Sequence, residues 1–255
     1  MMNFTVKEIE NILKQSDITS SFLTQIKNDS RVSVQKALVK WENNQQKIKL
    51  EEQRIAKLYD FENEFKHQGI EFIAGVDEAG RGPLVGPVSV AAVILPIGLK
   101  LDKINDSKKL TETQRVTIYE QIRKNAIAVE SILVDETKID EMNILRATMW
   151  GMYQVLAKLS PKPEAALIDA VKLPQLEIPY KAIIKGDALS ASIAAASIVA
   201  KVERDRYMDE LDKEYPMYGF AQHKGYGTQE HLVAIKKYGP CPAHRRSFEP
   251  IKSWG

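Results

Sequence analysis

Residues 71–96 read EFIAGVDEAGRGPLVGPVSVAAVILP, and this stretch determines the predicted fold class. Its first part, EFIAGVD, is a short apolar run with β-branched residues, which is typical of a strand. Glycine and proline punctuate the middle part and predict a turn, and VSVAAVILP predicts a second strand after that turn. Asp77 therefore closes the first predicted strand, and Glu78 follows it.

The chain beyond residue 96 alternates strand and helix patterns. AVESILVDE, AALIDA and YKAIIKGD predict three more strands, at residues 128–136, 165–170 and 180–187. AALIDA is almost wholly apolar, which predicts burial on both faces. Amphipathic stretches predict helices, with Thr111 and Ser190 as N-caps and one helix over residues 139–160. This order indicates an α/β fold in which helices pack on a mixed sheet.

The first seventy residues carry helix signals and no strand signal. Thr5 and Glu8 have capping-box spacing, Ser30 begins a long Lys- and Glu-rich helical run, and Gly69 ends it. We therefore expect two domains: a helical N-terminal extension over residues 1–70 and an α/β domain over residues 71–255. The C-terminal part of the second domain is basic and aromatic, with six Lys or Arg against two Glu from residue 215 onward.

Composition excludes several classes of protein. The chain has 255 residues, of which 44% are hydrophobic, so global disorder is excluded. Its single cysteine, Cys241, excludes an intramolecular disulfide framework and a Cys-rich zinc site, and it fits a reducing compartment. The charged N-terminal sequence does not resemble a signal peptide, and the apolar runs are too short to span a bilayer. We expect a cytoplasmic protein that does not associate with membranes.

Acidic residues lie at the ends of the predicted strands: Asp77, Glu78, Asp169 and Asp187. Ligands of open α/β sheets bind where strands end. Four carboxylates in one pocket repel one another, and a hard divalent cation such as Mg²⁺ relieves that repulsion. The alternative is that each Asp caps the next helix or ends a ladder. That alternative fits Asp187 best. It fits Asp169 least, because Asp169 lies within the apolar sequence LIDA.

A glycine-rich loop follows Asp77 and Glu78. Gly80 and Gly82 allow the backbone to approach a ligand closely, and Arg81 between them is available to a phosphate. An ordinary turn between two strands is the alternative. The loop is neither a Walker A motif nor a Rossmann fingerprint.

Two further segments are candidate substrate contacts. NDSKKL, residues 105–110, places Ser107, Lys108 and Lys109 just before a predicted helix, where helix N–H groups and Lys charge favour phosphate; a solvated loop is the alternative. HKGYGTQEH, residues 223–231, holds Tyr226 between glycines, where its ring face is available to a sugar or a base.

Taken together, these segments resemble the type 2 ribonucleases H, specifically bacterial ribonuclease HII. The resemblance covers residues 71–231 and rests on GVDEAGRGPLVGPV, NDSKKL, NILRATMWGM, LIDA, KGDALSASIAAASIVAKVERD and HKGYGTQEH, in the family's order. AGRG and a final Asp187 resemble HII more than the sister family HIII, which typically has Ser-Gly-Lys-Gly and a final Glu. The extension of about seventy residues departs from the shorter members of the family.

The resemblance implies an RNase H-like fold with a five-stranded mixed sheet flanked by helices. It implies that Asp77, Glu78, Asp169 and Asp187 form a site for Mn²⁺ or Mg²⁺, with two ions when substrate is bound. It also implies that the Gly-Arg-Gly element, residues 80–82, contacts the ribonucleotide 2′-hydroxyl, and that Tyr226 packs on the sugar of the neighbouring deoxynucleotide.

The implied activity is an endoribonuclease that acts as a monomer. We expect it to hydrolyse the RNA strand of RNA–DNA hybrids and to cut 5′ to ribonucleotides embedded in duplex DNA, leaving 3′-hydroxyl and 5′-phosphate ends. Such cleavage would serve ribonucleotide removal from DNA. One alternative is a non-catalytic nucleic-acid-binding protein on the same scaffold. Another, a transposase-like DNA nuclease, has no use for the Gly-Arg-Gly element.

Overall fold

The structure is a computed structural model that describes residues 4–15, 17–101, 104, 107 and 110–254. The chain divides into two compact units, Met1–Arg54 and Ile55–Gly255. The helices are α1 Val6–Ile12, α2 Ser20–Lys27, α3 Val32–Lys57, α4 Asp60–Lys66, α5 Glu112–Asn125, α6 Glu136–Met142, α7 Ile144–Lys158, α8 Ala191–Glu214, α9 Phe220–His223 and α10 Gln229–Tyr238. The strands are β1 Ile73–Ala79, β2 Val88–Ile94, β3 Ala128–Val134, β4 Ala165–Asp169 and β5 Tyr180–Ile183.

The first unit is helical. Thr5 and Glu8 form the predicted capping box at the start of α1, and Thr19 caps α2. The apolar sides of α1, α2 and the first part of α3 enclose a small core: Ile9, Leu13, Phe22, Ile26, Val34 and Leu38.

The long helix predicted from Ser30 is interrupted at Leu58 and Tyr59, between α3 and α4. The carbonyl of Leu58 accepts a hydrogen bond from the N–H of Ala191 at 2.9 Å, and the Tyr59 hydroxyl donates to the carbonyl of Leu99 at 2.8 Å. These tertiary bonds override local helix propensity. Residues 55–70 thus pack within the second unit, so the sequence-based boundary at residue 70 differs from the structural division.

The second unit contains the predicted five-stranded mixed sheet, with strand order β3-β2-β1-β4-β5. β2 pairs antiparallel with both β1 and β3, whereas β4 pairs parallel with both β1 and β5. Because β1 and β4 run parallel with Val76 opposite Ile168, the next residues, Asp77 and Asp169, reach the same edge of the sheet.

Helices cover both faces of the sheet. Alternate residues of β2 belong to different cores: Ala91 and Val93 pack with α8, and Val90 and Ala92 pack with α7. Gly75 in β1 lets α8 approach directly, because a Cβ there would lie 2.0 Å from the backbone carbon of Ser192. The four residues 165–168 of β4 are buried, which confirms the expected burial on both faces.

The C-terminal part packs on the second half of α8. Met208 and Leu211 of α8 share a core with α9, α10 and the last 3-10 helix, Ile251–Trp254. Across the ranges that the structure describes, no helix is both long enough and apolar enough to cross a membrane.

Candidate active site

A cavity of about 280 Å³ opens at the sheet edge where β1 and β4 end. It brings together the four carboxylates, the Gly-Arg-Gly loop, Ser107 and Tyr226. The described residues that line it are Asp77, Glu78, Ala79, Gly80, Arg81, Gly82, Ser107, Asp169, Asp187, Ser197, Lys201, Arg204 and Tyr226.

Asp77 is the most deeply placed of the four acids, with 4% of its surface exposed. Its Oδ1 accepts a hydrogen bond of 2.7 Å from the N–H of Glu78. Burial raises the pKa of Asp77 well above its usual range, and the negative charges of Glu78 and Asp169 raise it further. Negative charges held close together in a buried site favour the binding of either a proton or a cation.

A short turn holds the other two aspartates. Asp169 Oδ1 accepts a 2.7 Å hydrogen bond from the N–H of Gly186, which begins the 3-10 turn carrying Asp187. Asp187 does not cap α8, because Ser190 caps it by accepting from the N–H of Ile193. The capping alternative for Asp187 is therefore wrong.

Unusual backbone conformations flank these acids. Among the described non-glycine residues with positive φ, Ala170 follows Asp169, with φ 50°, and Lys185 precedes the turn of Asp187, with φ 58°. Left-handed conformations at residues other than glycine cost free energy and persist only where the surroundings impose them. The fold thus holds both acid-bearing segments in fixed, unfavourable backbone geometry.

The Gly-Arg-Gly loop forms one wall of the cavity. Gly80 has φ 91°, and a Cβ there would lie 1.9 Å from Nε of Arg204, so only glycine fits. Arg81 Nη1 lies 3.3 Å from Oε1 of Glu78, which joins the loop to one of the acids. The loop also adjoins Tyr226, because a Cβ at Gly82 would lie 3.7 Å from Cε1 of that ring, an ordinary contact distance.

Tyr226 lies in a hydrogen-bonded turn with 47% of its surface exposed. Its N–H donates to the carbonyl of His223 at 2.9 Å, and its carbonyl accepts from the N–H of Thr228 and from Nδ1 of His231 at 2.8 Å. Burial lowers the pKa of His231 to about 4, so its ring is neutral near pH 7. The backbone of this turn is therefore held without help from the tyrosine side chain.

Of the three candidate contacts in NDSKKL, the structure describes Ser107; Lys108 and Lys109 lie outside the described residues. Ser107 is buried, with its Oγ 3.0 Å from Oγ of Ser197. Arg115 donates to the carbonyl of Ser107 at 3.0 Å. The candidate cradle is therefore anchored to α8 at Ser107.

Three polar cavity residues were not predicted from the sequence: Ser197, Lys201 and Arg204. They follow one another at spacings of four and three along α8, which places them on one helix face. Burial lowers the pKa of Lys201, and its Nζ lies 2.7 Å from Oδ1 of Asp205. The spacing of these polar residues within an Ala-rich helix could have predicted that they share one face.

The donor set fits a hard divalent cation, because four carboxylates line one cavity and Asp77 is buried among like charges. Within the described ranges, no three acidic, His or Cys side chains lie close enough to enclose an ion by themselves. An ion here would complete its coordination with water and substrate oxygens, as Mg²⁺ usually does.

Comparison with solved structures identifies the class. The crystal structure of the ribonuclease H2 from Pyrococcus horikoshii OT3 matches with a TM-score of 0.62 and 28% identity, covering 71% of this chain and 95% of that one. The fold and its strand-end acids thus define an enzyme of the ribonuclease H class.

Sequence comparison gives the family. The Ribonuclease HII family model matches residues 74–251, and the model for the Ribonuclease HII N-terminal domain matches residues 5–66. The chain is 49% identical to the Ribonuclease HII of Acetivibrio thermocellus, over 97% of this chain and 98% of that protein. It is also 49% identical to that of Geobacillus thermodenitrificans, over 99% and 97%.

The chain belongs to the ribonuclease HII family. It is therefore a ribonuclease H enzyme, and the alternative of a non-catalytic binding protein does not hold. Over residues 5–66 the helical extension is similar to the N-terminal domain of this family.

Proposed function

We propose that this enzyme hydrolyses the RNA strand of RNA–DNA hybrids and cuts 5′ to ribonucleotides embedded in duplex DNA. The observation that supports this proposal is one cavity that joins four carboxylates to a glycine loop and an exposed tyrosine. The acids suit phosphodiester hydrolysis, whereas the loop and the ring suit recognition of a nucleotide sugar.

Asp77, Glu78, Asp169 and Asp187 would hold Mg²⁺ or Mn²⁺. Two such ions would supply activation of a water molecule and stabilisation of the leaving 3′-oxygen in an in-line displacement. The role of the protein is to keep these carboxylates fixed, through the parallel pairing of β1 with β4 and the bond from Gly186 to Asp169. Attack by water predicts 3′-hydroxyl and 5′-phosphate products.

Recognition of RNA depends on the 2′-hydroxyl, the group that distinguishes a ribonucleotide from a deoxynucleotide. Gly80 and Gly82 have no side chains, so the backbone of the loop can offer N–H groups to a sugar at close range. Arg81 carries a charge suited to a phosphate. Tyr226, beside Gly82, offers its ring to the next sugar toward the 3′ end.

Basic residues at the cavity would hold the cut strand. Lys201 lies in the cavity on α8, and Ser107 precedes Lys108 and Lys109 in the chain. Cationic side chains that contact phosphates position the nucleic acid without reading its sequence. These residues therefore contribute to affinity for hybrids and for mixed duplexes alike.

We further propose that the helical N-terminal domain adds affinity for the nucleic acid. In the first structural unit, Trp41 and four lysines line a groove of about 780 Å³, with Glu10 as the one acid among its described lining residues. The lysines are Lys14, Lys36, Lys40 and Lys47. Such a surface suits phosphates, and binding to it should weaken as salt rises.

The test compares three duplexes of one sequence: all DNA, DNA with a single ribonucleotide, and an RNA–DNA hybrid. Each is incubated with Mg²⁺, Mn²⁺ or EDTA. Wild type should cut the hybrid and the ribonucleotide-containing duplex with either metal, and nothing in EDTA. Asp169→Asn should lose most activity, whereas Asp60→Asn, which is exposed on α4 and does not line the cavity, should retain it. Cleavage in EDTA, or a fully active Asp169→Asn, would refute the proposal.

A further inference from the structure

Arg245 lies in the segment after α10 and is fully buried. Its Nε donates to the carbonyl of Gly86 at 2.9 Å, its Nη1 to that of Arg81 at 2.9 Å, and its Nη2 to that of Gly80 at 2.7 Å. Burying a charge is costly unless hydrogen bonds compensate. Here the compensation comes from backbone carbonyls, two of which belong to the Gly-Arg-Gly loop.

These bonds fix the orientation of two peptide units. In a planar trans peptide, the C=O of one residue and the N–H of the next point in opposite directions. With the carbonyls of Gly80 and Arg81 turned to Arg245, the N–H groups of Arg81 and Gly82 face away from it. The loop lines the cavity and Arg245 does not.

Without such bonds the loop would have considerable freedom, because glycine populates a wide range of backbone conformations. The backbone around Arg245 supports the same arrangement. The N–H of Arg245 donates to the carbonyl of Leu84 at 2.9 Å, and Val85 forms a β-bridge with His244. The C-terminal segment thus holds the loop in place, through hydrogen bonds between residues that are 164 and 165 positions apart in the sequence.

We infer that Arg245 is a positioning residue for ribose recognition, which orients the Gly80–Arg81 and Arg81–Gly82 peptide units toward the 2′-hydroxyl. This inference rests on the proposed function. Arg245 acts through the loop and does not touch the substrate. A lysine has no fork of donors and cannot hold the carbonyls of Gly80, Arg81 and Gly86 together.

The test is the binding preference of full-length Arg245→Lys. Two labelled duplexes that differ by one 2′-hydroxyl are titrated with protein in the presence of Ca²⁺. A gel confirms that the duplex scored as bound has not been cut. Wild type should bind the ribonucleotide-containing duplex more tightly than the all-DNA duplex. Arg245→Lys should reduce this preference by about three- to tenfold, the worth of one or two hydrogen bonds, with unchanged affinity for all-DNA duplex.

Ile251→Ala is the matched control, because Ile251 is buried in the C-terminal core and its side chain belongs to that core. It should lower the melting temperature and keep the wild-type preference. If Arg245→Lys does not fold, Arg245→Gln replaces it, since its neutral amide buries no charge and donates to one carbonyl.

Two results would overturn the inference: a folded Arg245 variant that keeps the wild-type preference, or one that weakens binding of both duplexes equally. Equal binding of the two duplexes by wild type is a separate outcome. It would refute the proposed recognition of ribose, and with it the inference.

Discussion

Replacing Tyr226 with alanine should slow cleavage at a single ribonucleotide by about ten- to a hundredfold. Stacking of a nucleotide on an aromatic ring is worth about 1–3 kcal/mol by alanine substitution. A change of about 1.4 kcal/mol in the activation free energy corresponds to a tenfold change in rate. A long RNA–DNA hybrid offers many registers and no deoxynucleotide after the cut, so Tyr226→Ala should impair its cleavage less.

The structure indicates that this substitution leaves the fold intact. Truncating a buried aromatic residue costs about 3–5 kcal/mol of stability, but Tyr226 is half exposed. The hydrogen bonds to His223, Thr228 and His231 involve its backbone alone. We therefore expect a melting temperature close to that of wild type.

The assay is single-turnover cleavage of both substrates at one metal concentration. Tyr226→Phe keeps the ring and should behave like wild type. Tyr238→Ala is the matched control, because Tyr238 is 50% exposed on α10 and does not line the cavity. Equal losses on the two substrates would show that Tyr226 supports general binding and does not read the junction.

Three further predictions concern the acids, the domain boundary and a buried glutamate. Asp77→Asn and Asp187→Asn should each abolish most cleavage at equal or higher thermal stability, because each relieves like-charge repulsion; wild-type turnover in either variant would refute the role of that residue. Deleting residues 1–54 should leave a folded enzyme that binds substrate more weakly, whereas deleting residues 1–70 also removes core side chains and should lower the melting temperature; equal circular dichroism melts would contradict this division. Burial raises the pKa of Glu62, so the stability contributed by its neutral carboxyl should be lost as pH rises from the ordinary value near 4.5 through the raised pKa. The change in unfolding free energy from pH 4 to pH 8 should therefore be less favourable for wild type than for Glu62→Gln. Unfolding free energies are measured by urea melts at pH 4 and pH 8. An equal change between the two pH values in both proteins would count against the raised pKa of Glu62.

Much of the fold follows from local sequence patterns. The five strands, the caps at Thr5, Thr111 and Ser190, and the double burial of β4 are all present. These features depend on residues close together in sequence, such as a capping oxygen and an N–H three positions away.

Helix continuity was less predictable. The helix expected over residues 139–160 is two helices, with Asn143 between them at φ 68° capping the second through the N–H of Arg146. Asn is a strong helix cap, so at this position it competes with the helical pattern on either side. At Leu58 and Tyr59 the helix is broken by distant partners, which no local pattern encodes.

The strand-end prediction is correct for Asp169, which ends β4. It is wrong for Asp77 and Glu78, which lie inside β1 because pairing with β2 continues to Ala79, and for Asp187, which lies in the 3-10 turn after β5. Asp77 and Asp169 meet because β1 and β4 run parallel, a consequence of topology. The polar face of α8 could have been predicted from the spacing of its polar residues. Those residues stand within an Ala-rich sequence that by itself indicates only a helix. Arg245 was not predictable, since its role arises from contacts with the loop across more than half the chain.

The most direct test of the central claim is to map the cut in a DNA duplex that holds one ribonucleotide. The strand is labelled at its 5′ end, and the product is compared with markers that end in 3′-hydroxyl and in cyclic phosphate. We predict a single metal-dependent cut on the 5′ side of the ribonucleotide, with a 3′-hydroxyl on the upstream fragment. A cut on its 3′ side, a cyclic phosphate end, or equal cutting of the all-DNA duplex would contradict the account.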